Sequence, residues 1–216
     1  PQGKHAYVLN RSGTSWSQQA NLTVTGGTNP GEFGSAVSLS QDGSTLAVGA
    51  AGDDANPPFG STAGNNSGSA FIFTRSGSSW SQQKNVFPMR AQDSSYFGRT
   101  LDLSNDGNTL VVGAGGFDSD NPDPPSPGSN NIGAAYIYYR TGTSWSGDDS
   151  DTSVKIMHAD NDESYANNSQ FAGNRQNVSL NSTGDILVVG ALYDRENGGS
   201  SNSDAAGAAY VFTKNG

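Results

Sequence analysis

The stretch FGRTLDLSNDGNTLVVGAG, residues 97–115, contains a complete structural unit that recurs along the chain. An aromatic-Gly pair opens it, alternating apolar and polar residues lead to an Asp-Gly pair, and a valine-rich run ends in Gly-Ala. Two such runs on either side of Asp-Gly predict a β-hairpin with a tight turn. Residues 33–52 and 171–191 follow the same order, so the sequence indicates a repeat protein.

Two further features recur with the same period. A Trp within Ser-Trp-Ser occurs at positions 16, 80 and 145. An Ala-aromatic-aliphatic strand recurs at Tyr7, Phe71, Tyr136 and Tyr210. We therefore predict a single repeat domain over residues 1–216, with repeats at about 7–70, 71–135 and 136–209 and an extra copy of one strand at 210–216.

Each repeat supplies four short strands: aromatic-Gly, Val-Gly-Ala, Ala-aromatic-aliphatic and Trp-containing. Four antiparallel strands per repeat are typical of a propeller blade, with a solenoid as the alternative. The predicted fold class is all-β, with three four-stranded antiparallel repeats of the propeller-blade type. Propellers have about four to eight blades. The chain is therefore expected to be part of a longer propeller or to be completed by self-association.

Composition restricts the classes of partner. The formal net charge is -9 and no Cys is present. An acidic chain does not favour nucleic acid, and the sequence contains no apolar run long enough for membrane insertion. The abundance of Asn, Ser and Gly is typical of bacterial extracellular proteins. A secreted or cell-surface location is therefore expected. The chain opens with Pro1 and no Met, which is consistent with a processed or excised piece.

The order of motifs resembles that of bacterial FG-GAP repeat proteins, which are relatives of the propeller at the head of integrin α subunits. The motif pairs are Phe33-Gly34 with Gly49-Ala50, Phe97-Gly98 with Gly113-Ala114, and Phe171-Ala172 with Gly190-Ala191. The resemblance covers essentially the whole chain. Two features depart from the family pattern: Ala172 replaces Gly, and Pro never follows Gly-Ala. The resemblance implies an extracellular propeller used for adhesion or ligand binding, often with Ca²⁺ in the blade loops.

Acidic loops follow each Gly-Ala pair, and Ca²⁺ prefers several carboxylate and carbonyl oxygens from one short loop. The predicted metal ligands are Asp53, Asp54 and Asn56, then Asp118, Asp120 and Asp123, then Asp194 and Glu196, with Asp160 and Asp162 in an enlarged loop before Phe171. No repeat has the Asp-x-Asp-x-Asp-Gly order of the integrin loops. The alternative is that these Asp and Asn residues favour turns in solvated loops.

Catalysis has little support in the sequence. His5 and His158 fall in different periods, and neither belongs to a Ser-His-Asp order. His158-Ala159-Asp160 is interpreted as a surface segment. The Gly-rich turns lack the Gly-Lys-Ser/Thr of a phosphate loop and are expected to allow close strand packing instead. We therefore predict that the protein is not an enzyme.

Aromatic residues suggest where a ligand binds. Trp16, Trp80 and Trp145 occupy a fixed repeat position, which favours packing between blades over sugar stacking. Tyr96 and Tyr165 lie near aromatic-Gly turns and are the predicted ligand-binding residues. The predicted function is a non-enzymatic extracellular binding, adhesion or structural domain that binds a protein or glycan ligand. A lectin-like glycan binder and a self-assembling filament or sheath subunit are the alternatives.

Overall fold

In the computed structural model, residues 5–24, 30–54, 65–88, 93–117, 131–147, 155–157, 171–173, 177–192 and 207–214 are described. The regular elements of these residues are all strands, so the all-β prediction is confirmed. The strands are β1 Ala6–Ser12, β2 Ser15–Leu22, β3 Phe33–Leu39, β4 Thr45–Ala50, β5 Ser69–Ser76, β6 Ser79–Val86, β7 Thr100–Leu103, β8 Thr109–Ala114, β9 Ala134–Thr141, β10 Ser144–Trp145, β11 Lys155–Met157, β12 Val178–Leu180, β13 Ile186–Ala191 and β14 Ala208–Thr213.

The strands form four antiparallel sheets in chain order. The N-terminal hairpin contains β1 and β2, and the first blade has the order β3-β4-β5-β6. The second blade has the order β7-β8-β9-β10, and β11 also pairs with β9. The third sheet has the order β12-β13-β14. The described chain is therefore a partial propeller, with two complete blades between a hairpin and a three-stranded sheet.

Recurring motifs occupy the same place in each sheet. The Val-Gly-Ala motif ends the second strand, and the Ala-aromatic-aliphatic motif is the third strand, as in β5 and β9. β1 therefore corresponds to a third strand and β2 to a fourth strand. Each complete blade pairs its strands from first to fourth in sequence order, so consecutive strands are neighbours. In the two blades and the third sheet, this topology places the turn between the first and second strands at one end and the connection after Gly-Ala at the other. The turn contains Asp-Gly in the two blades and Thr183-Gly184 in the third sheet.

The first Asp-Gly turn is held by a seryl hydroxyl and a carboxylate. Ser40 Oγ donates to Asp42 Oδ1 at 2.7 Å and accepts from the Thr45 N–H at 3.0 Å. Asp42 also accepts from the Ser44 N–H at 2.9 Å. These hydrogen bonds, that from the Ser40 side chain first, lower the pKa of Asp42 to about 2.

The second turn uses the same pair of groups, and the third uses an asparagine side chain in place of the serine. In the second, Ser104 Oγ donates to Asp106 Oδ1 at 2.5 Å. Burial opposes ionisation of Asp106, but its hydrogen bonds outweigh burial and its pKa is lowered. In the third, the Asp185 N–H donates to Asn181 Oδ1 at 3.0 Å. Each turn therefore fixes its own register through a short polar side chain.

Hydrogen bonds also run from one turn to the next. The Gln41 N–H donates to the Asn105 carbonyl at 3.0 Å, and the Asn105 N–H donates to the Ser182 carbonyl at 3.1 Å. These three residues occupy the same position in successive repeats. The turns of the first blade, the second blade and the third sheet are therefore joined through the backbone.

The aromatic-Gly and Gly-Ala motifs pack against one another across the blades. Gly98 has φ +90°, and a Cβ at Gly49 would lie 1.9 Å from the Gly98 carbonyl oxygen. A Cβ at Gly113 would likewise lie 2.2 Å from the Ala172 carbonyl oxygen. The prediction that these glycines allow close strand packing is confirmed. Ala172 has φ +54°, the left-handed conformation that glycine adopts more readily at this repeat position.

The Phe of each aromatic-Gly motif contacts two aromatic rings in its own sheet. Phe97 at the start of the second blade packs edge-on against Tyr136 and Tyr138, with ring centroids 5.3 Å and 6.2 Å apart. Phe33 repeats this contact with Phe71 and Phe73, and Phe171 repeats it with Tyr210 and Phe212. The Phe of each aromatic-Gly motif thus packs against the third strand of its own sheet.

Candidate functional site

Two connections meet at the end of the first blade opposite the Asp-Gly turns. One follows Ala50 and returns at Ser69, and the other joins Val86 to Thr100. The Ser94 N–H donates to the Asn65 carbonyl at 2.8 Å, and the Tyr96 N–H donates to the Asn66 carbonyl at 3.1 Å. The described parts of the two connections are therefore joined through their backbones.

Side chains reinforce this junction. Asp93 Oδ1 accepts from the Asn65 N–H at 2.8 Å, and Asp54 Oδ1 accepts from the Asn66 N–H at 2.9 Å. Asn66, Ser94 and Tyr96 all have positive φ, between +52° and +60°. Non-glycine residues in this conformation carry a small strain and cluster at ligand sites.

An aromatic ring and a cation complete the site. The Arg99 guanidinium lies over the Tyr96 ring, 4.3 Å from its centroid. Such a contact orients both side chains and holds the positive charge in place. We define the loop cluster as Asp54, Asn65, Asp93, Tyr96 and Arg99. It presents two carboxylates, an amide, a phenol and a guanidinium, none of which is buried.

A cavity of about 470 Å³ adjoins the loop cluster through Arg99. It lies between the innermost strands of the two blades and is lined by Gly34, Ser35, Ala36, Val37, Arg99, Thr100 and Leu101. Thr100 is buried, and its hydroxyl has no hydrogen-bond partner within the described ranges.

The predicted metal ligands Asp53 and Asp54 have structural partners. Asp53 is buried and its Oδ2 accepts from Ser69 Oγ at 2.6 Å, which ties the start of the loop to its end. Asp54 accepts a hydrogen bond from the Asn66 N–H, as described above. No group of three His, Cys, Asp or Glu side chains suited to a metal is present in the described part of the chain. The described acidic residues of the first loop do not by themselves make a Ca²⁺ site.

Most other predicted site residues lie outside the described residues. These are Asn56, Asp118, Asp120, Asp123, Asp160, Asp162, Tyr165, Asp194 and Glu196. Among the predicted residues the structure thus brings Asp54 and Tyr96 into one surface. The Ca²⁺ hypothesis for the remaining loops stays a prediction.

Sequence reasoning missed two charged residues. Arg99 directly follows the Phe97-Gly98 motif, and a cation three residues after an aromatic residue was the available signal. Asp102 is the other. Its Oδ1 accepts from Ser38 Oγ at 2.9 Å, and its Oδ2 accepts from the Leu180 N–H at 2.8 Å. Asp102 therefore joins the innermost strands of three successive sheets and is part of the scaffold.

The four-stranded sheets, their stacked turns and their face-to-face cores define the chain as a β-propeller repeat protein. A model described as the FG-GAP repeat matches residues 16–73 and 80–138, more than half of the chain. The chain belongs to the FG-GAP repeat family. No curated protein matches it in sequence.

Solved structures with a similar chain arrangement include two bacterial proteins. The periplasmic gluconolactonase of Pseudomonas aeruginosa has 14% identity and a TM-score of 0.46 over 89% of this chain and 44% of its own. TolB from Acinetobacter baumannii has 13% identity and a TM-score of 0.41 over 96% of this chain and 37% of its own. The chain thus spans less than half the length of either protein. At these identities the likeness does not extend to activity.

In the described part of the chain, no helix has the length and apolar character needed to cross a membrane.

Proposed function

We propose that this chain is a non-enzymatic binding domain of an exported protein, and that the loop cluster binds its ligand, a protein or a glycan. The observation that carries the proposal is the Tyr96–Arg99 pair, held at 4.3 Å on a surface built from two connections. Tyr and Arg are enriched among the residues that dominate binding energy in interfaces.

The separation of structural residues from variable residues along the repeat supports this proposal. Residues of the strands and tight turns have structural tasks: Ser40 and Asp42 hold a turn, and Asp102 joins three sheets. Residues of the connections differ between repeats, so the connections are where a propeller of this kind acquires specificity. Binding residues generally lie on loops positioned by a rigid scaffold.

The chemistry of the loop cluster suits polar ligands. Asp54 and Asp93 offer acceptors on the two joined connections, one of which carries Tyr96, and Arg99 offers donors. Carboxylates next to an aromatic ring can bind sugar hydroxyls, and an exposed Arg beside a Tyr can bind a protein carboxylate or carbonyl. One experiment therefore tests both ligand classes with the same variants.

The experiment applies chain 1–216 to a glycan array and to a panel of immobilised extracellular matrix proteins, in 1 mM Ca²⁺ and in EDTA. Tyr96→Ala and Arg99→Ala are expected to reduce binding at least about tenfold, as for a residue worth more than about 1.4 kcal/mol. Lys214→Ala is the matched control. Lys214 directly follows the last strand of the third sheet, away from the loop cluster, and its ammonium also lies over a tyrosine ring, that of Tyr139, at 4.6 Å.

Retention on glycans alone would identify a lectin-like domain, and retention on proteins alone would identify an adhesion domain. An equal loss of binding in Lys214→Ala would contradict a role for the loop cluster. Retention on neither surface would contradict the proposed function.

A further inference from the structure

The turn that carries Tyr96 and Arg99 is formed twice in the described chain. In the second blade the Arg99 N–H donates to the Tyr96 carbonyl at 3.1 Å. At the same position of the first blade, the Ser35 N–H donates to the Glu32 carbonyl at 2.9 Å. Tyr96 and Glu32 also have similar φ values, +52° and +57°. The backbone of this turn therefore forms with Glu and Ser as well, so the fold does not require an aromatic residue or a cation there.

The side chains that follow the aromatic-Gly pair have different tasks in the two blades. Ser35 Oγ donates to the Gly98 carbonyl at 2.9 Å and accepts from the Ala51 N–H at 3.3 Å, so it joins the blades. The Arg99 guanidinium makes no hydrogen bond or ion pair with a described residue and lies over the Tyr96 ring instead. Within the described chain, the five N–H donors of Arg99 therefore have no protein acceptor.

The missing acceptor is notable because carboxylates are in excess. The chain has 20 acidic and 11 basic residues, yet no described carboxylate pairs with Arg99. Asp54 and Asp93, on the same junction, accept backbone N–H groups of the joined connections instead. The planar fork of guanidinium donors matches the oxygens of an oxyanion. A guanidinium positioned by a ring and left without an acceptor is therefore suited to bind an anionic group of a ligand.

We infer that Arg99 binds a carboxylate of a protein ligand and that Tyr96 positions the guanidinium for it. The inference rests on the proposed function, because it names the group that the loop cluster recognises. Phe97 and Gly98, which separate the two residues, are both buried, so the turn holds its shape without a ligand. A site that is already ordered loses little conformational entropy when it binds.

The contact between Tyr96 and Arg99 favours a protein ligand over a glycan. A sugar ring that stacks on a tyrosine needs an open face of the aromatic ring. One face of the Tyr96 ring is already covered by the Arg99 guanidinium, and the residue is half-buried. Sugar stacking on that face would have to displace the guanidinium, whereas a carboxylate can bind Arg99 and leave the contact in place.

The two acidic residues of the loop cluster restrict the charge of the ligand. Asp54 and Asp93 repel anions, and they repel a phosphate group with nearly two charges more strongly than a single carboxylate. A run of acidic residues is disfavoured for the same reason. The expected ligand segment therefore has one Asp or Glu among neutral or basic residues.

The test selects ligands for chain 1–216 from a phage-displayed library of short random peptides. Each enriched peptide is synthesised in two forms, one with its Asp or Glu and one with the corresponding Asn or Gln. Binding of both forms is measured by fluorescence anisotropy. The carboxylate form is expected to bind at least about tenfold more tightly than the amide form.

Arg99→Gln is expected to weaken binding of the carboxylate form at least about tenfold and to leave the amide form unchanged. Arg99→Lys keeps the charge but loses the planar fork, so an intermediate loss is expected. Arg11→Gln is the matched control. Arg11 is exposed, its Nε donates to the Gly13 carbonyl of its own turn at 2.7 Å, and its loss changes the net charge equally. All three variants are expected to melt within a few degrees of the unmodified chain.

Two results would overturn the inference and leave the proposed function standing. One is a set of peptides that need Tyr96 and Arg99 but bind equally well as carboxylate and amide. The other is the absence of any enriched peptide together with Arg99-dependent retention on the glycan array. Peptides unaffected by Tyr96→Ala and Arg99→Gln would instead remove the loop cluster as the binding site. Retention on no peptide, protein or glycan would contradict both proposals.

Discussion

The indole N–H of Trp145 in the second blade donates a 2.9 Å hydrogen bond to Oε1 of Gln83 in the first blade. Trp80 repeats this contact one sheet earlier, with Gln19 of the hairpin at 3.0 Å. The Ser-Trp-Ser-Gln-Gln motif therefore joins neighbouring sheets. Its Trp donates a hydrogen bond to the preceding sheet, and its second Gln accepts one from the following sheet.

Replacing Gln83 should weaken the contact between the two blades. Gln83→Ala leaves the indole N–H of Trp145, a buried residue, without its acceptor, which costs about 1–2 kcal/mol of the free energy of unfolding. Urea denaturation followed by tryptophan fluorescence measures this change. Gln18→Ala is the matched control, because Gln18 is exposed on β2, and it should change stability by less than about 0.5 kcal/mol. Equal effects of the two substitutions would contradict the role of the Gln83 contact.

A side chain at Gly98 should be poorly tolerated. Gly98 has φ +90°, and a Cβ there would lie 2.3 Å from the Ser69 carbonyl oxygen. Backbone strain and overpacking together predict a loss of about 3 kcal/mol for Gly98→Ala. Gly77 has φ +61° with open space around it, so Gly77→Ala isolates the strain and should cost about 1 kcal/mol. Thermal melts of the two variants measure the difference, and similar melting temperatures would refute close packing as the reason for glycine at 98.

The role of Asp102 in joining the sheets can be tested by replacing it with serine, the residue at the equivalent positions of the other two repeats. Ser38 and Ser179 occupy its position, and Ser38 Oγ accepts from the Leu103 N–H at 3.1 Å, just as Asp102 accepts from Leu180. Asp102→Ala should cost about 1–3 kcal/mol, because the Leu180 N–H loses its acceptor. Asp102→Ser should recover part of this loss, and Ser179→Ala should cost little. Chemical denaturation measures all three, and a serine variant no better than alanine would argue against the shared role.

Acid should weaken the first turn over a defined range of pH. The folded pKa of Asp42, about 2, lies below its ordinary value, so the Asp42 contribution is fully present above about pH 4 and is lost as the pH falls through about 2. Asp42 is exposed, so screening keeps this contribution below about 1 kcal/mol. NMR titration of the carboxyl measures the pKa directly. Ser40→Ala removes the largest cause and should raise the pKa of Asp42; an unchanged value would show that Ser40 does not stabilise the carboxylate.

Calcium should stabilise the chain if the acidic loops bind it. At a dissociation constant of about 0.1 mM, typical of weak extracellular sites, 1 mM Ca²⁺ would add about 1.4 kcal/mol. For a domain of this size, that corresponds to a rise in melting temperature of about 3–6 °C, reversed by EDTA. Asp120→Asn and Asp162→Asn separate the loop after the second Gly-Ala from the enlarged loop. A melting temperature that is the same in Ca²⁺ and EDTA would remove calcium from every loop.

The fold was predictable because its signals are local and repeated. Asp42-Gly43 and Asp106-Gly107 each stand between two runs of alternating apolar residues, which is sufficient to predict a hairpin. The sequence spacing of the motifs then gives the order of the strands in each blade. Phe97 and Gly98 were recognisable as scaffold residues because they recur together with Gly-Ala.

The roles of individual carboxylates were less predictable. The sequence predicts Asp53 and Asp54 as metal ligands because acidic loops supply the carboxylate oxygens that a Ca²⁺ site needs. In the structure, Asp53 accepts a hydrogen bond from Ser69 and Asp54 accepts one from the Asn66 backbone. Composition alone does not distinguish a carboxylate that stabilises a loop from one that binds a metal ion. Asp102 gives no local signal at all, since its partners Ser38 and Leu180 belong to other repeats.

The hydrogen bonds between turns, from Gln41 to Asn105 and from Asn105 to Ser182, have a consequence for how this chain can change in length. An insertion at any of these turns would displace a backbone group from its neighbour in the adjacent sheet, so that end of the molecule tolerates little variation. The opposite end has connections after Gly-Ala that differ in length from repeat to repeat. New residues can therefore be added there without shifting any strand, and engineered peptides are best inserted at that end.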